Sequence, residues 1–333
     1  MSSLIRRRTF LKTGLAAGAA VGFGVRAHAA HTPLNPVWGK HKAVITFPPK
    51  EETFTELKAA GFNGVEVNLW HPKEGMTTLD EAAKVRELAA KMDMRVHTVL
   101  RGWAEFNSPD PDKVKTDKEF TIHTLQAAQA YGADAILLVG GRLDGDKFAM
   151  PEPDRWKVKF DPKNGHLLQV ADGDNSAYKD YMQAHDHAYD SFIRHISDLI
   201  PVAEETGVVV GVENVWNNLF IGPDHFGHMI DAFKSPWVRA YFDCGNQVKY
   251  RIPPEQWIRT LGKRIVKLHI KDYKLDVPKE QEWPSLREGS VNWPNVAKAL
   301  IEIGYDGWFT IEGPCGEGRA ECSRRLDLIL AGM

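Results

Sequence analysis

Ile265–Tyr273 reads IVKLHIKDY. Successive side chains of a strand point to opposite faces. Val266, Leu268 and Ile270 therefore share one face, while Lys267, His269 and Lys271 share the other, followed at once by Asp272. The apolar face belongs against helices. The polar face needs partners, and those have to come from neighbouring strands.

Seven further β-rich runs share this rhythm: KAVITF (42–47), GVEVNLW (64–70), RVHTVL (95–100), DAILLVG (134–140), VVVGVENV (208–215), RAYFDC (239–244) and WFTIEG (308–313). Helical patterns fill the gaps, among them 78–92, 116–132 and 178–207. Gly61, Gly132, Gly207 and Gly304 stand where helices are capped before the next strand. Eight strands alternating with helices predict an α/β chain folded as a single (β/α)8 TIM barrel. A doubly wound sheet is the competitor, but it opens with a glycine-rich phosphate loop after its first strand. Here the first strand runs into FPPKEET (47–53) instead. Two stretches break the rhythm: a long loop insertion after strand 4 (141–177) and another after strand 7 (275–296). The alternation in WKVKF and HLLQV predicts a small hairpin within the first, read as an ordered lid.

Catalytic side chains of a barrel come from the C-terminal ends of its strands. Strand five turns Glu213 inward at its top, strand six Tyr241 and Asp243, strand seven His269, and strand eight Glu312. A lone inward glutamate can simply pair with a lysine, and a lone strand histidine is commonly hydrogen-bonded core. Three carboxylates and an imidazole in one space repel and pay a desolvation cost unless a cation joins them. The expected ligand set is Glu213, Asp243, His269 and Glu312. Oxygen-rich donors with one imidazole suit one divalent metal ion, Mn2+ first, with Mg2+, Co2+ or Zn2+ also compatible.

Bulk properties narrow the field. The 333 residues carry a formal charge of −2, with 43% hydrophobic and 26% charged residues. No basic stripe is present, so the sequence predicts no nucleic-acid partner. At the N-terminus, RRRTFLKTGLAAGAAVGFGVRAHAA (6–30) resembles a twin-arginine signal peptide with an Ala27-His28-Ala29 cleavage site. Residues 1–29 are thus expected to be removed after passage through the Tat export machinery. Residues 30–333 would then remain as a periplasmic catalytic domain that is not membrane-bound; a homo-oligomer is compatible with it. Three cysteines are too few for a disulfide framework. Cys244 and Cys315 each follow the barrel's ligand residues closely, which would make those two neighbours.

These stretches together resemble the xylose-isomerase-like TIM-barrel superfamily of sugar isomerases and epimerases, hydroxypyruvate isomerase and inosose dehydratase. The matching segments are GFNGVEVN with Glu66, GVENVWN with Glu213, YFDCGN with Asp243, KLHIKD with His269, and FTIEG with Glu312. The resemblance implies a metal-dependent sugar isomerase or epimerase acting on a sugar or keto-sugar through a cis-enediolate. Glu213 and Glu312 would be the catalytic acid/base pair, with Asp243 and His269 as passive ligands. Lys271, Asn246, Glu66, Arg101, Trp103 and His97 would contact substrate, Lys271 being as readily a ligand's partner, and Asp272 would be structural. The alternative is a dehydratase or lyase acting on a keto-sugar, inosose or keto-glycoside. HIKD favours that branch, as does Asn246 where ketose 3-epimerases usually carry histidine. A DNA-repair branch of the superfamily is excluded by the neutral charge and the single histidine ligand.

Overall fold

A computed structural model describes residues 39–69 and 76–333. The signal-peptide reading of residues 1–29 lies outside them. The first strands are β1 (Lys42–Thr46), β2 (Gly64–Asn68), β3 (Arg95–Trp103) and β4 (Ala135–Val139). Next come β5 (Trp156–Phe160) and β6 (Leu167–Ala171), then β7 (Val209–Glu213), β8 (Val238–Asp243), β9 (Ile265–Ile270) and β10 (Phe309–Ile311). Eight of these close into a parallel barrel in the order β1-β10-β9-β8-β7-β4-β3-β2. The strands are Val-, Ile- and Leu-rich because both of their faces are covered, as a parallel sheet demands.

Helices α1 (Glu51–Ala59), α2 (Leu79–Lys91) and α3 (Pro111–Tyr131) follow the first three strands. Helices α4 (Lys179–Ser197) and α5 (Ile200–Thr206) precede β7; α6 (Pro223–Ala232), α7 (Pro254–Leu261), α8 (Trp293–Glu302) and α9 (Gly318–Leu330) complete the ring. Helix α2 begins with a reciprocal box, Thr78 receiving the Glu81 N–H while the Glu81 carboxylate receives that of Thr78. Gly132 and Gly207 end α3 and α5 at φ 75° and 68°, left-handed values at which a side chain would be strained. The apolar parity of β9 faces outward, with Leu268 and Ile270 fully buried.

Strands β5 and β6 pair antiparallel outside the barrel. This ribbon is tied to α4: His166 Nε2 lies 2.9 Å from Asp190, and the Leu167 N–H donates to Asp186. Asp272 organises the segment after β9. Its carboxylate accepts the N–H groups of Tyr273, Arg287, Gly289 and Val291 and the indole N–H of Trp293. The structural role expected of it is therefore met by five donors converging on one buried side chain. The disulfide joins a pair of cysteines that the sequence did not single out. Cys315 is bonded to Cys322 in α9, and Cys244 is a buried free thiol. The loop after β10 brings Cys315 to Cys322 in the first turns of α9, seven residues on.

Candidate active site

Parallel register brings the four expected ligands together. Asp243 pairs with His269 across β8 and β9, and Thr310 with His269 across β9 and β10. Glu213 closes β7, and Glu312 lies one residue beyond β10. Donor atoms of Glu213, Asp243, His269 and Glu312 all lie within 4.8 Å of one another. His269 Nδ1 is 3.1 Å from Glu312 Oε2, 3.3 Å from Glu213 Oε1 and 4.0 Å from Asp243 Oδ2.

Asp243 is held by the backbone. Its Oδ1 accepts the N–H groups of Gly245 at 2.8 Å and Asn246 at 2.6 Å. Asn214 braces the strand end from the side, its amide oxygen taking the Asp243 N–H and its amide nitrogen donating to the Asp243 carbonyl. Asp243 Oδ2 is buried and accepts no hydrogen bond. A buried carboxylate oxygen without a donor is costly unless a cation approaches it. Lys271 Nζ is 3.3 Å away and also donates to Glu312 at 2.7 Å. One ammonium thus spans two ligands, which makes Lys271 a ligand's partner in this structure.

Charge and burial set the protonation tendencies. Burial pushes the Asp243 carboxyl up to about 7, against the pull of Lys271. Burial also raises Glu213, partly offset by its hydrogen bond to His269. For Glu312 burial works in the same direction, but His269 and Lys271 outweigh it and hold its carboxyl well below the usual range. Burial alone would lower His269, yet Glu312, Glu66 and Glu213 carry it well above the ordinary imidazole value. Burial alone would lower Lys271, but Asp243, Glu312 and Glu213 raise it. Three oxygen donors, one imidazole and an undonated carboxylate oxygen fit a hard divalent cation. Cys244 does not join them, because burial pushes its thiol well up and away from thiolate.

Four of the expected substrate contacts are engaged with protein partners in this structure. Glu66 lies beneath the ligands, fully buried, with Oε1 3.1 Å from His269 Nε2 and Oε2 accepting from the Tyr241 hydroxyl. It orients the histidine. His97 lies lower in the barrel, stacked on Trp308 at 4.5 Å, 2.9 Å from the Thr310 hydroxyl and 3.3 Å from Lys267. Burial and Lys267 hold it neutral. Arg101 turns outward because β3 is bulged between Leu100 and Gly102. Its guanidinium reaches Thr121 at 3.0 Å, Asp117 and the Trp103 carbonyl, with Phe120 beneath it at 4.8 Å. It fastens β3 to α3. Trp103 lies under Arg142 in a cleft of about 730 Å3 that contains none of the four ligands. Asn246 is at the site: its amide donates to Glu213 at 3.4 Å and to the Asn214 carbonyl at 3.1 Å.

Sequence reasoning missed Asn214, Trp216 and Trp283. Asn214 could have been suspected from its place directly after Glu213. Trp216 donates its indole N–H to the Asn246 carbonyl, and Trp283 lies 4.9 Å from the Lys271 ammonium. Both come from loops without periodicity, where no pattern assigns a direction.

Fold and donor set define a parallel (β/α)8 barrel with a cation-competent cluster at the C-terminal mouth of its strands. The chain belongs to the xylose isomerase-like TIM barrel family, whose pattern spans residues 54–329. It is 25% identical over 285 residues to inosose dehydratase of Clostridium beijerinckii, covering 79% of this chain and 83% of that protein. It is 29% identical over 122 residues to an uncharacterized protein of Methanocaldococcus jannaschii, covering 35% of this chain and only 41% of that relative. Among solved structures, D-psicose 3-epimerase from Clostridium cellulolyticum H10 superposes with a TM-score of 0.62 at 16% identity, over 87% of this chain and 98% of that one. The 3-keto-D-glucoside 4-epimerase from E. coli gives 0.61 at 15% identity, over 87% and 98%. At such identities the likeness speaks for the fold.

Proposed function

We propose that this chain is a metal-dependent sugar isomerase or epimerase that moves a proton on a sugar or keto-sugar through a cis-enediolate. The observation that carries this reading is the strand order β10-β9-β8-β7. It places Glu312 and Glu213 on the two flanks and Asp243 and His269 between them. A substrate seated over the middle pair meets one carboxylate from each side.

Glu213, Asp243, His269 and Glu312 would hold the ion. A divalent cation bound there supplies Lewis acidity, which acidifies the C–H bond beside a carbonyl. One glutamate takes that proton and the other returns one, to the neighbouring carbon or to the opposite face of the same carbon. Environments that separate the proton affinities of two carboxylates suit this division of labour. Glu213 is raised and Glu312 lowered. Asp243 and His269 stay chemically passive. Lys271 keeps Glu312 ionised and, released from Asp243, would be able to donate to a substrate oxygen.

A second reading, elimination of water or an aglycone after the same proton abstraction, is supported by the inosose dehydratase relative. Incubating candidate keto-sugars with the metal-loaded protein in D2O separates them. Deuterium beside the carbonyl with otherwise unchanged mass is expected. Loss of water or an aglycone would replace isomerisation with elimination, and absence of exchange on every keto-sugar would overturn both. We also infer export by the twin-arginine route, supported by residues 6–30 and by the Cys315–Cys322 disulfide, which suits an oxidising compartment.

A further inference from the structure

A cavity of about 670 Å3 is lined by residues from the loops that follow β7, β8 and β9, the strands that carry three of the four ligands. Both segments that interrupt the barrel's rhythm meet there: Asp154 from the stretch before β5, and Asp276 and Glu282 from the stretch after β9. The barrel contributes Trp216 after β7, Lys249 and Arg251 after β8, and Tyr273 after β9. Two relays of contacts join this cavity to the ligands. Trp216 donates to the Asn246 carbonyl, and Asn246 donates to Glu213. Trp283, 5.0 Å from Trp216 and 5.1 Å from Tyr273, packs on the Lys271 ammonium that holds Glu312.

Its chemistry is specific. The ring planes of Trp216 and Tyr273 stand at 84° to each other and make an aromatic corner. Lys249 Nζ lies 3.8 Å from the Trp216 ring centroid and 5.1 Å from that of Tyr250, and among the described residues it forms no ion pair. Arg251 and Asp276 are clamped together at 2.5 and 3.3 Å. Both hold left-handed backbone, at φ 60° and 61°. Non-glycine residues rarely sit there, and such strain gathers at binding sites. Lys249, Arg251 and Lys279 are balanced by Asp154, Asp276 and Glu282 along the same wall. Charge balance of this kind does not select an anion such as phosphate. Aromatic faces beside alternating donors and acceptors select a neutral hydroxylated ring, whose C–H faces stack while its hydroxyls bridge opposite charges.

We propose that this cavity is a second sugar subsite, so that the substrate is a glycoside or disaccharide with one unit at the ligand cluster and the next ring against Trp216 and Lys249. This rests on the sugar-enolising reading of the cluster, and two readouts keep them apart. The first is equilibrium binding, followed by tryptophan fluorescence, of cellobiose, maltose and sucrose against glucose. At least one disaccharide is expected to bind tenfold or more tightly than glucose. Lys249→Ala and Arg251→Ala should erase that advantage while binding glucose unchanged and melting within a few degrees of wild type. The second is deuterium exchange of 3-keto-glucose and its methyl and glucosyl glycosides. Here kcat/KM should rise with the second ring in wild type and not in Lys249→Ala. Equal binding of mono- and disaccharides, or equal losses in the variants on both, overturns the subsite. A disaccharide preference without any exchange keeps the subsite and sinks the enolisation.

Discussion

Glu66 Oε1 lies 3.1 Å from His269 Nε2, on the ring edge turned away from the ligand cluster, while Nδ1 faces Glu213, Asp243 and Glu312. The carboxylate beneath the ring thus fixes which nitrogen carries a proton and which offers a lone pair to a cation. Partners of this kind raise ligand basicity and hold ring orientation. Glu66→Gln keeps the shape and removes the charge. It should bind Mn2+ roughly 10- to 100-fold more weakly, measured by competition with a chelating dye, and should melt close to wild type. Unchanged affinity would show that Glu66 does not tune the ligand.

The cluster should hold about one divalent ion per chain, read by elemental analysis. Glu213→Ala and His269→Ala should lose it. Stripping the ion with chelator should leave the far-ultraviolet spectrum intact, because Lys271 and a protonated His269 then neutralise the carboxylates. The melting temperature should rise with added Mn2+ by mass action. Collapse of the stripped protein would mean that these internal ion pairs do not suffice.

Lys271 competes with a cation for Asp243 Oδ2 and Glu312 Oε2. In Lys271→Met the ion should bind at least as tightly as in wild type, while deuterium exchange slows. A weaker ion would give Lys271 a supporting role in the metal site in place of the competing one.

Asp272 satisfies five donors from a fully buried position. Asp272→Ala strands them and should cost about 3 kcal/mol or more in urea unfolding. The segment 275–296 should become the first site of proteolytic cleavage. A change below about 1 kcal/mol would mean that water replaces the carboxylate.

His225 gives the fold an acid-side weakness. Burial, with His185 and His228 nearby, lowers it to about 3, and its Nε2–H donates to the Gly165 carbonyl. The folded state therefore prefers the neutral ring, whereas the unfolded chain protonates near 6.5. The stability from this group is complete above pH 6.5 and drains away as pH falls from there toward 3, at about 1.4 kcal/mol per pH unit. Urea unfolding of the chelator-treated protein at pH 7.5, 6 and 5 should show this slope, reduced in His225→Leu. An identical slope in the variant would assign the loss to other groups.

Strand parity carried much of this protein in the sequence itself. Period-two alternation in IVKLHI and VVVGVE says which side chains share a face, because backbone geometry alone decides it. All eight barrel strands overlap the runs read from sequence, and Glu213, Asp243, His269 and Glu312 meet in the structure. The pattern could not give height within the barrel or the effect of a bulge. His97 and Glu66 are inward by parity, yet one packs on Trp308 and the other braces a histidine, because strand stagger sets which layer each one enters. Arg101 was turned outward by the extra residue in β3. The aromatic corner of Trp216, Tyr273 and Trp283, and the pairing of Cys315 with Cys322, arise where aperiodic segments fold back. Sequence determined which residues of a regular strand share a face, since that follows from local geometry. Tertiary structure decided which of them touch, since contact depends on stagger, bulges and loop paths that no local period records.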